Sequence, residues 1–164
     1  MLFFLAGFVA LVIQTTVPRL LPVGILVPDL ILILTVDLGL RHQGAVAALI
    51  VFAMGYAIDA FSGVALGLNA LLLTIIFLLV YWVSRSLIAS STALGVVAVF
   101  GGVIFNDYGN YLLSSGLISA DRLSRLLPEV LMQAGLTALL APPVFRLMKR
   151  LARLTGLRVR GESG

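Results

Sequence analysis

The chain of 164 residues has no cysteine and a single histidine, His42. The first absence excludes a disulfide framework, a thiolate metal site and a cysteine nucleophile, and one histidine cannot assemble a metal cluster alone. Charge is scarce as well: Asp, Glu, Lys and Arg together make up 11% of the chain, where a soluble domain carries about a quarter. Catalytic patterns are missing too. The sequence has no G-x-S-x-G, no P-loop, no H-E-x-x-H and no paired carboxylates backed by a plausible base, so an enzyme is the poorest reading and no cofactor is expected.

What fills the chain instead is hydrocarbon. Hydrophobic residues make up 61% and the mean hydropathy is +1.16, which marks an integral membrane protein. Spans of roughly 20 residues use up nearly the whole length and leave no room for a water-soluble catalytic domain. The N-terminal run MLFFLAGFVALVIQTTVP lacks a basic leader and a small-residue cleavage site, and is read as a retained first span. Prolines and polar turns punctuate the rest: Pro18, Pro22 and Pro28 with Gly24, then RHQG at Arg41 to Gly44, then the stretch from Asp59 to Gly67. The expectation is an all-α, compact six-helix transmembrane bundle, with spans near 1–17, 28–40, 44–60, 66–83, 92–115 and 128–148 and a basic tail over 149–164. Spans two and three are short for a hydrocarbon core of about 30 Å, so they are expected to be buried or extended by irregular backbone at the Asp59 loop.

The eleven Lys and Arg set an orientation. With both termini cytoplasmic, the inner side holds Arg41, Arg85, Arg146, Lys149, Arg150, Arg153, Arg158 and Arg160, and the outer side Arg19, Arg122 and Arg125. Tyr81 and Trp82 beside Arg85 resemble an interfacial anchor at the inner end of span four. In FRLMKRLARLTGLRVR, Arg146, Lys149, Arg150 and Arg153 recur at i, i+3, i+4 and i+7 while Leu147, Leu151 and Leu154 take the other side, the pattern of a basic helix end at the inner surface, facing anionic lipid. Topology anchor and docking site for a cytoplasmic partner both fit it. The sequence pI of about 10.1 is explained by this bias, and nucleic-acid binding is not expected.

The same topology gathers polar groups on the outer side. Asp29, Asp59, Asp107, Asp121 and Glu129 fall there, with Gln14, Asn69, Asn106, Asn110 and Gln133 at similar depth. Unpaired polar groups in hydrocarbon cost several kcal/mol, so they either converge on an outward polar cavity or bond one another across helices. Singly, Asp29 after Pro28 reads as a helix start, and Asp37 one turn before Arg41 reads as a local i,i+4 pair near the inner surface. Asp107, in FNDYGNYLLSS, is an intramembrane acid whose role is either functional or that of a hydrogen-bonded structural group among Asn106 and Asn110. Asp59 is expected to cap its own turn by accepting from the N–H groups of Ser62 and Gly63, in which case Asn should replace it and Ala should not. The alternative is a charge contact with a partner's cation.

Residues 27–74 carry a resemblance: the P-D-L of Pro28, Asp29 and Leu30, L-G-L-R at the exit of span two, then G-x-x-x-D-x-x-S-G and L-G-x-x-A-L, with Asp59, Ser62, Gly63, Leu66 and Gly67 as its most specific positions. The stretch resembles the core of the MreD family of rod-shape-determining membrane proteins. Gln14 with Thr15 and Thr16, a proline opening span six and the Leu- and Arg-rich tail agree more loosely, while Asp37 and Gln133 depart from the family pattern. The resemblance implies a non-enzymatic, multi-pass subunit of the bacterial inner membrane. It would bind an MreC-like single-span protein and, through the complex, RodA, its penicillin-binding transpeptidase and MreB during peptidoglycan synthesis. Small residues four apart on span three, Gly44 with Ala48, Ala53 with Ala57 and Gly55 with Asp59, suit close helix contact. The other reading is the substrate-binding S component of an energy-coupling-factor transporter for a vitamin or metal. The MreD family is thought to share that six-helix fold, and here Ala6 and Ala10 would be the docking pair.

Overall fold

In the computed structural model the described residues are 28–41, 44–62, 67–86, 92–115 and 120–154, together with Leu5, Ala6, Gly7, Val9, Ala10, Val12 and Thr16. Those seven N-terminal residues are helical and constitute α1. The other helices are α2 (Leu30–Arg41), α3 (Ala45–Ser62), α4 (Leu68–Ser86), α5 (Thr92–Ser115) and α6 (Ala120–Leu154). No strand occurs among the described residues.

Residue contacts fix the directions. Gly39 of α2 backs onto Val80 of α4, whereas Gly55 of α3 backs onto Asn69 and Ala70 at the other end of α4. Gly102 and Gly109 of α5 back onto Leu32 and Leu72, and Gly95 onto Leu40 and Phe145. Arg41 reaches Phe145 of α6, while Asp29 reaches Thr137. Helices α2 to α6 therefore alternate up and down, and the exits of α2 and α4 share one end with the last turns of α6. On the other side, Gly7 of α1 packs on Met54 of α3.

Helix α2 is the axis. Every residue from Ile31 to Gly39 is buried, because α3, α4, α5 and α6 all pack around it. Its 12 residues make about 18 Å of helix, too short to cross hydrocarbon alone but long enough to fill the bundle. Helix α3 departs from the expectation of burial: Val46, Leu49, Phe52, Tyr56 and Phe61 are exposed, since it packs mainly on α4 and shows its far side outward. Among the described residues three helices contain stretches long and apolar enough to cross a membrane, Leu68–Arg85, Thr92–Leu113 and Leu127–Ala152, and Ala45–Phe61 is a shorter apolar helix.

Two boundaries differ from the sequence reading for identifiable reasons. Helix α4 starts at Leu68 and not near 66, because Gly67 takes φ +93°, a left-handed conformation that cannot continue a helix. Helix α6 begins at Ala120, so Pro128 lies inside it, as do Pro142 and Pro143. A proline removes one helical bond and is tolerated where other donors satisfy the freed carbonyl. The 35 residues of α6 extend about 52 Å, well beyond a 30 Å hydrocarbon layer.

Candidate functional site

A polar network sits where the exit of α3 meets the start of α4. Asp59, in the last turn of α3, is 1% exposed. One carboxylate oxygen accepts from the backbone N–H of Asn69 at 3.1 Å and from its side-chain amide at 2.8 Å. The other accepts from the backbone N–H groups of Gly67 at 3.0 Å and Ala70 at 3.2 Å. These backbone donors belong to the first turn of α4 and the residue before it, the groups that a helix leaves without internal partners. Asp59 is thus a cap of the helix that follows, through all four of its donors among the described residues. Of the donors expected for it, Ser62 is the last residue of α3 and Gly63 lies outside the described residues, as does Leu66 of the same signature; the Ser62 side chain lies outside them too.

This placement resolves an electrostatic conflict. A carboxylate at the C-terminal end of α3 is disfavoured by that helix's dipole, but the same group lies on the N-terminal end of α4, where negative charge is favoured. Gly55, one turn earlier, allows the reach. A Cβ there would stand 2.5 Å from the Ala70 Cα and 2.7 Å from its N, so α3 and α4 meet backbone to backbone. The small residues four apart, Gly55 and Asp59, hence act within the bundle.

From Asp59 the bonding continues sideways. The Asn110 amide of α5 donates to the Asn69 Oδ1 at 2.8 Å and to the carbonyl of Asn106 at 3.1 Å. Three helices are tied by one chain, Asp59–Asn69–Asn110–Asn106. Of Gln14, Asn69, Asn106, Asp107, Asn110 and Gln133, the residues expected to line an outward polar cavity, it joins Asn69, Asn106 and Asn110. Gln133 is half-buried on α6 and takes no part in it, and Gln14 lies outside the described residues. Asp107 does not belong to it either: it is half-buried, and its Oδ2 is enclosed with no hydrogen-bond partner. Asn106 and Asn110 therefore do not depend on Asp107, because their bonds run to each other and to Asn69.

Asp29 starts α2 as expected of an N-terminal carboxylate: its Oδ1 accepts from the N–H of Leu32 at 2.9 Å, and its own N–H donates to Thr137 Oγ1 of α6 at 3.2 Å. The Pro28 carbonyl accepts from Leu30 N–H, and Leu30 packs against the core. Thr137, which sequence reasoning passed over, is fully buried. A threonine in an apolar run gives no signal until its partner is known.

At the opposite end, Asp37 pairs with Arg41 through Nε, and Arg41 Nη2 donates to the Phe145 carbonyl at 3.4 Å. The i,i+4 pairing is present, yet Asp37 is 0% exposed, turned toward the core and not toward the surface. Arg146, Lys149 and Arg150 are exposed on α6, and the Arg153 side chain lies outside the described residues. The face opposite them is Phe145, Met148 and Ala152. Leu147, expected there, is exposed, because the buried side of α6 is set by where α2 and α5 lie.

Among the described residues no group of three or more His, Cys, Asp or Glu could hold a metal ion. A family model described as rod shape-determining protein MreD matches residues 1–151 of the chain. Neither the curated proteins nor the solved structures give a significant match.

Proposed function

Because the chain belongs to the MreD family of rod shape-determining membrane proteins, we propose that it is a non-enzymatic subunit of the bacterial cell-elongation machinery. In this reading it binds an MreC-like single-span protein and so helps organise RodA, its transpeptidase partner and MreB for lateral wall growth. The family match over nearly the whole chain carries the reading. The structure supports it through the use made of polar groups: Asp59, Asn69, Asn106, Asn110 and Asp37 are engaged inside the bundle. What faces outward along α3 is apolar, Val46, Leu49, Phe52 and Tyr56, a surface suited to another membrane helix.

The transporter reading has less support. Its proposed docking pair packs inward: Ala10 is buried in the core and Ala6 lies against it.

In this proposal the bundle crosses the bacterial inner membrane in the compact arrangement of S components, with the short α2 enclosed by the helices around it and both termini cytoplasmic. The end with Arg41, Arg85, Arg146, Lys149 and Arg150 then faces the cytoplasm, as the positive-inside bias demands. The absence of native cysteine makes this testable. Single cysteines at Val23 and Ser119 should react with an impermeant thiol reagent in intact cells, and those at Gln43 and Ser90 should not; the reverse pattern contradicts the topology. Purification in mild detergent should recover a single-span MreC-like protein with the chain. Recovery of a transporter ATPase in its place would support the other reading.

A further inference from the structure

We infer that the end of the bundle bearing Arg85, Arg146, Lys149 and Arg150 is a docking surface for the headgroups of anionic phospholipids. The inference goes beyond the elongation role and does not depend on it. Three contacts set one level near this end: Arg41 on the Phe145 carbonyl, Gly95 against Phe145 and Leu40, and Gly39 against Val80. Past that level α4 continues to Trp82 and Arg85, and α6 to Arg146, Lys149 and Arg150. The cations of two helices thus emerge at the same height.

Little of their charge is spent within the protein: Lys149 lies within electrostatic reach of the buried Asp37, but among the described residues no ion pair engages any of the four. Among the described residues the ion pair formed is Asp37–Arg41, and Asp37 is fully buried. Arg41 is therefore neutralised internally, whereas Arg146, Lys149 and Arg150 are exposed on the face opposite Phe145, Met148 and Ala152. Arg85 is exposed and contacts the Tyr81 hydroxyl at 3.3 Å, which leaves its charge unopposed.

What adjoins the cations selects the occupant. Trp82 is 74% exposed, and Leu78 and Leu79 on α4 and Leu139 on α6 are exposed within a few turns of the charged level. Apolar surface, an amphipathic ring and then cations follow in the order of acyl chains, interface and phosphate in a bilayer leaflet. An acidic soluble protein would match the cations but not the apolar belt beside them.

The test uses the full chain reconstituted in bilayer discs containing equal phosphatidylglycerol and phosphatidylcholine, then extracted in mild detergent, with retained lipids counted by native mass spectrometry. Phosphatidylglycerol should be enriched, and each of Arg146→Gln, Lys149→Gln and Arg150→Gln should lower the enrichment, by about fivefold per charge. Arg122→Gln with Arg125→Gln, a similar charge loss at the other end of α6, should leave it unchanged. Raising the salt from about 0.1 M to about 1 M should abolish it in the unaltered chain, a result independent of how any variant folds. Equal retention of the two lipids, an enrichment indifferent to salt, or an equal loss from changes at either end of α6 overturns the proposal.

Discussion

Two aspartates in this bundle are almost equally hidden, Asp59 at 1% exposure and Asp37 at 0%, yet they are held in different ways. Both oxygens of Asp59 are used, each by two donors, and three of the four donors are backbone N–H groups of another helix and its approach. Asp37 uses one oxygen, toward Arg41 of its own helix, and the other has no hydrogen-bond partner. The first carboxylate joins two helices, and the second mainly positions an arginine that reaches the Phe145 carbonyl. Burial alone thus says little about what a charged group contributes. The number of fixed donors around it, and which of them would be stranded, says more.

The comparison is sharpest under substitution. Asp59→Ala strands two buried backbone N–H groups, a part-buried one and an amide, and should cost on the order of 4 kcal/mol, enough to deplete folded protein in the membrane. Asp59→Asn should be nearly as harmful. Whichever way the amide turns, its NH2 faces either the Gly67 and Ala70 N–H groups or the donors of Asn69, so donor meets donor. Thermal unfolding in detergent would measure both, and an Asn variant as stable as the unaltered chain would refute the clamp. Gly55→Ala should follow at about 3 kcal/mol, since the added methyl runs into the Ala70 backbone. Its effect should fall short of additive with Asp59→Ala, because both act by separating α3 from α4; a fully additive double variant would show that they act independently.

At the other carboxylate the same Asp to Asn change should be milder. Asp37→Asn keeps an acceptor for Arg41 and replaces an oxygen that had no partner but removes the charge that neutralises Arg41, so a loss of about 2 kcal/mol is expected in the same melt. A loss as large as at Asp59 would erase the distinction. The smallest effect belongs to Asp107→Asn, close to zero, with Asn106 and Asn110 undisturbed because their bonds run to each other and to Asn69. Loss of partner recovery by this variant at normal membrane levels would instead give the carboxylate an essential role.

The sequence made Asp59 conspicuous as a turn residue but could not reveal its donors. They lie eight to eleven positions ahead, and their proximity depends on the contact Gly55 permits between α3 and α4. The Asp29 start and the Asp37–Arg41 spacing were legible because both are local patterns. The burial of Asp37 was not, since it follows from α2 being surrounded on every side. Likewise the cations of α6 could be read from their spacing, but the side that packs is decided by α2 and α5, and Leu147 ended outside it. Of the two readings left open for the polar residues, a shared cavity or bonding across helices, Asn69, Asn106 and Asn110 show the bonding; Asp107 was placed at the same approximate depth but takes no part in it, which depth alone does not distinguish.

The most direct test of the clamp is amide hydrogen exchange at the start of α4, in the folded chain and in Asp59→Asn. First-turn N–H groups normally exchange fast for want of an intrahelical partner. Here those of Gly67, Asn69 and Ala70 should be as protected as the middle of α4, and should exchange at least about tenfold faster in the variant while mid-helix amides hold. Rapid exchange at these three positions in the unaltered chain, or protection that survives the substitution, would contradict the account.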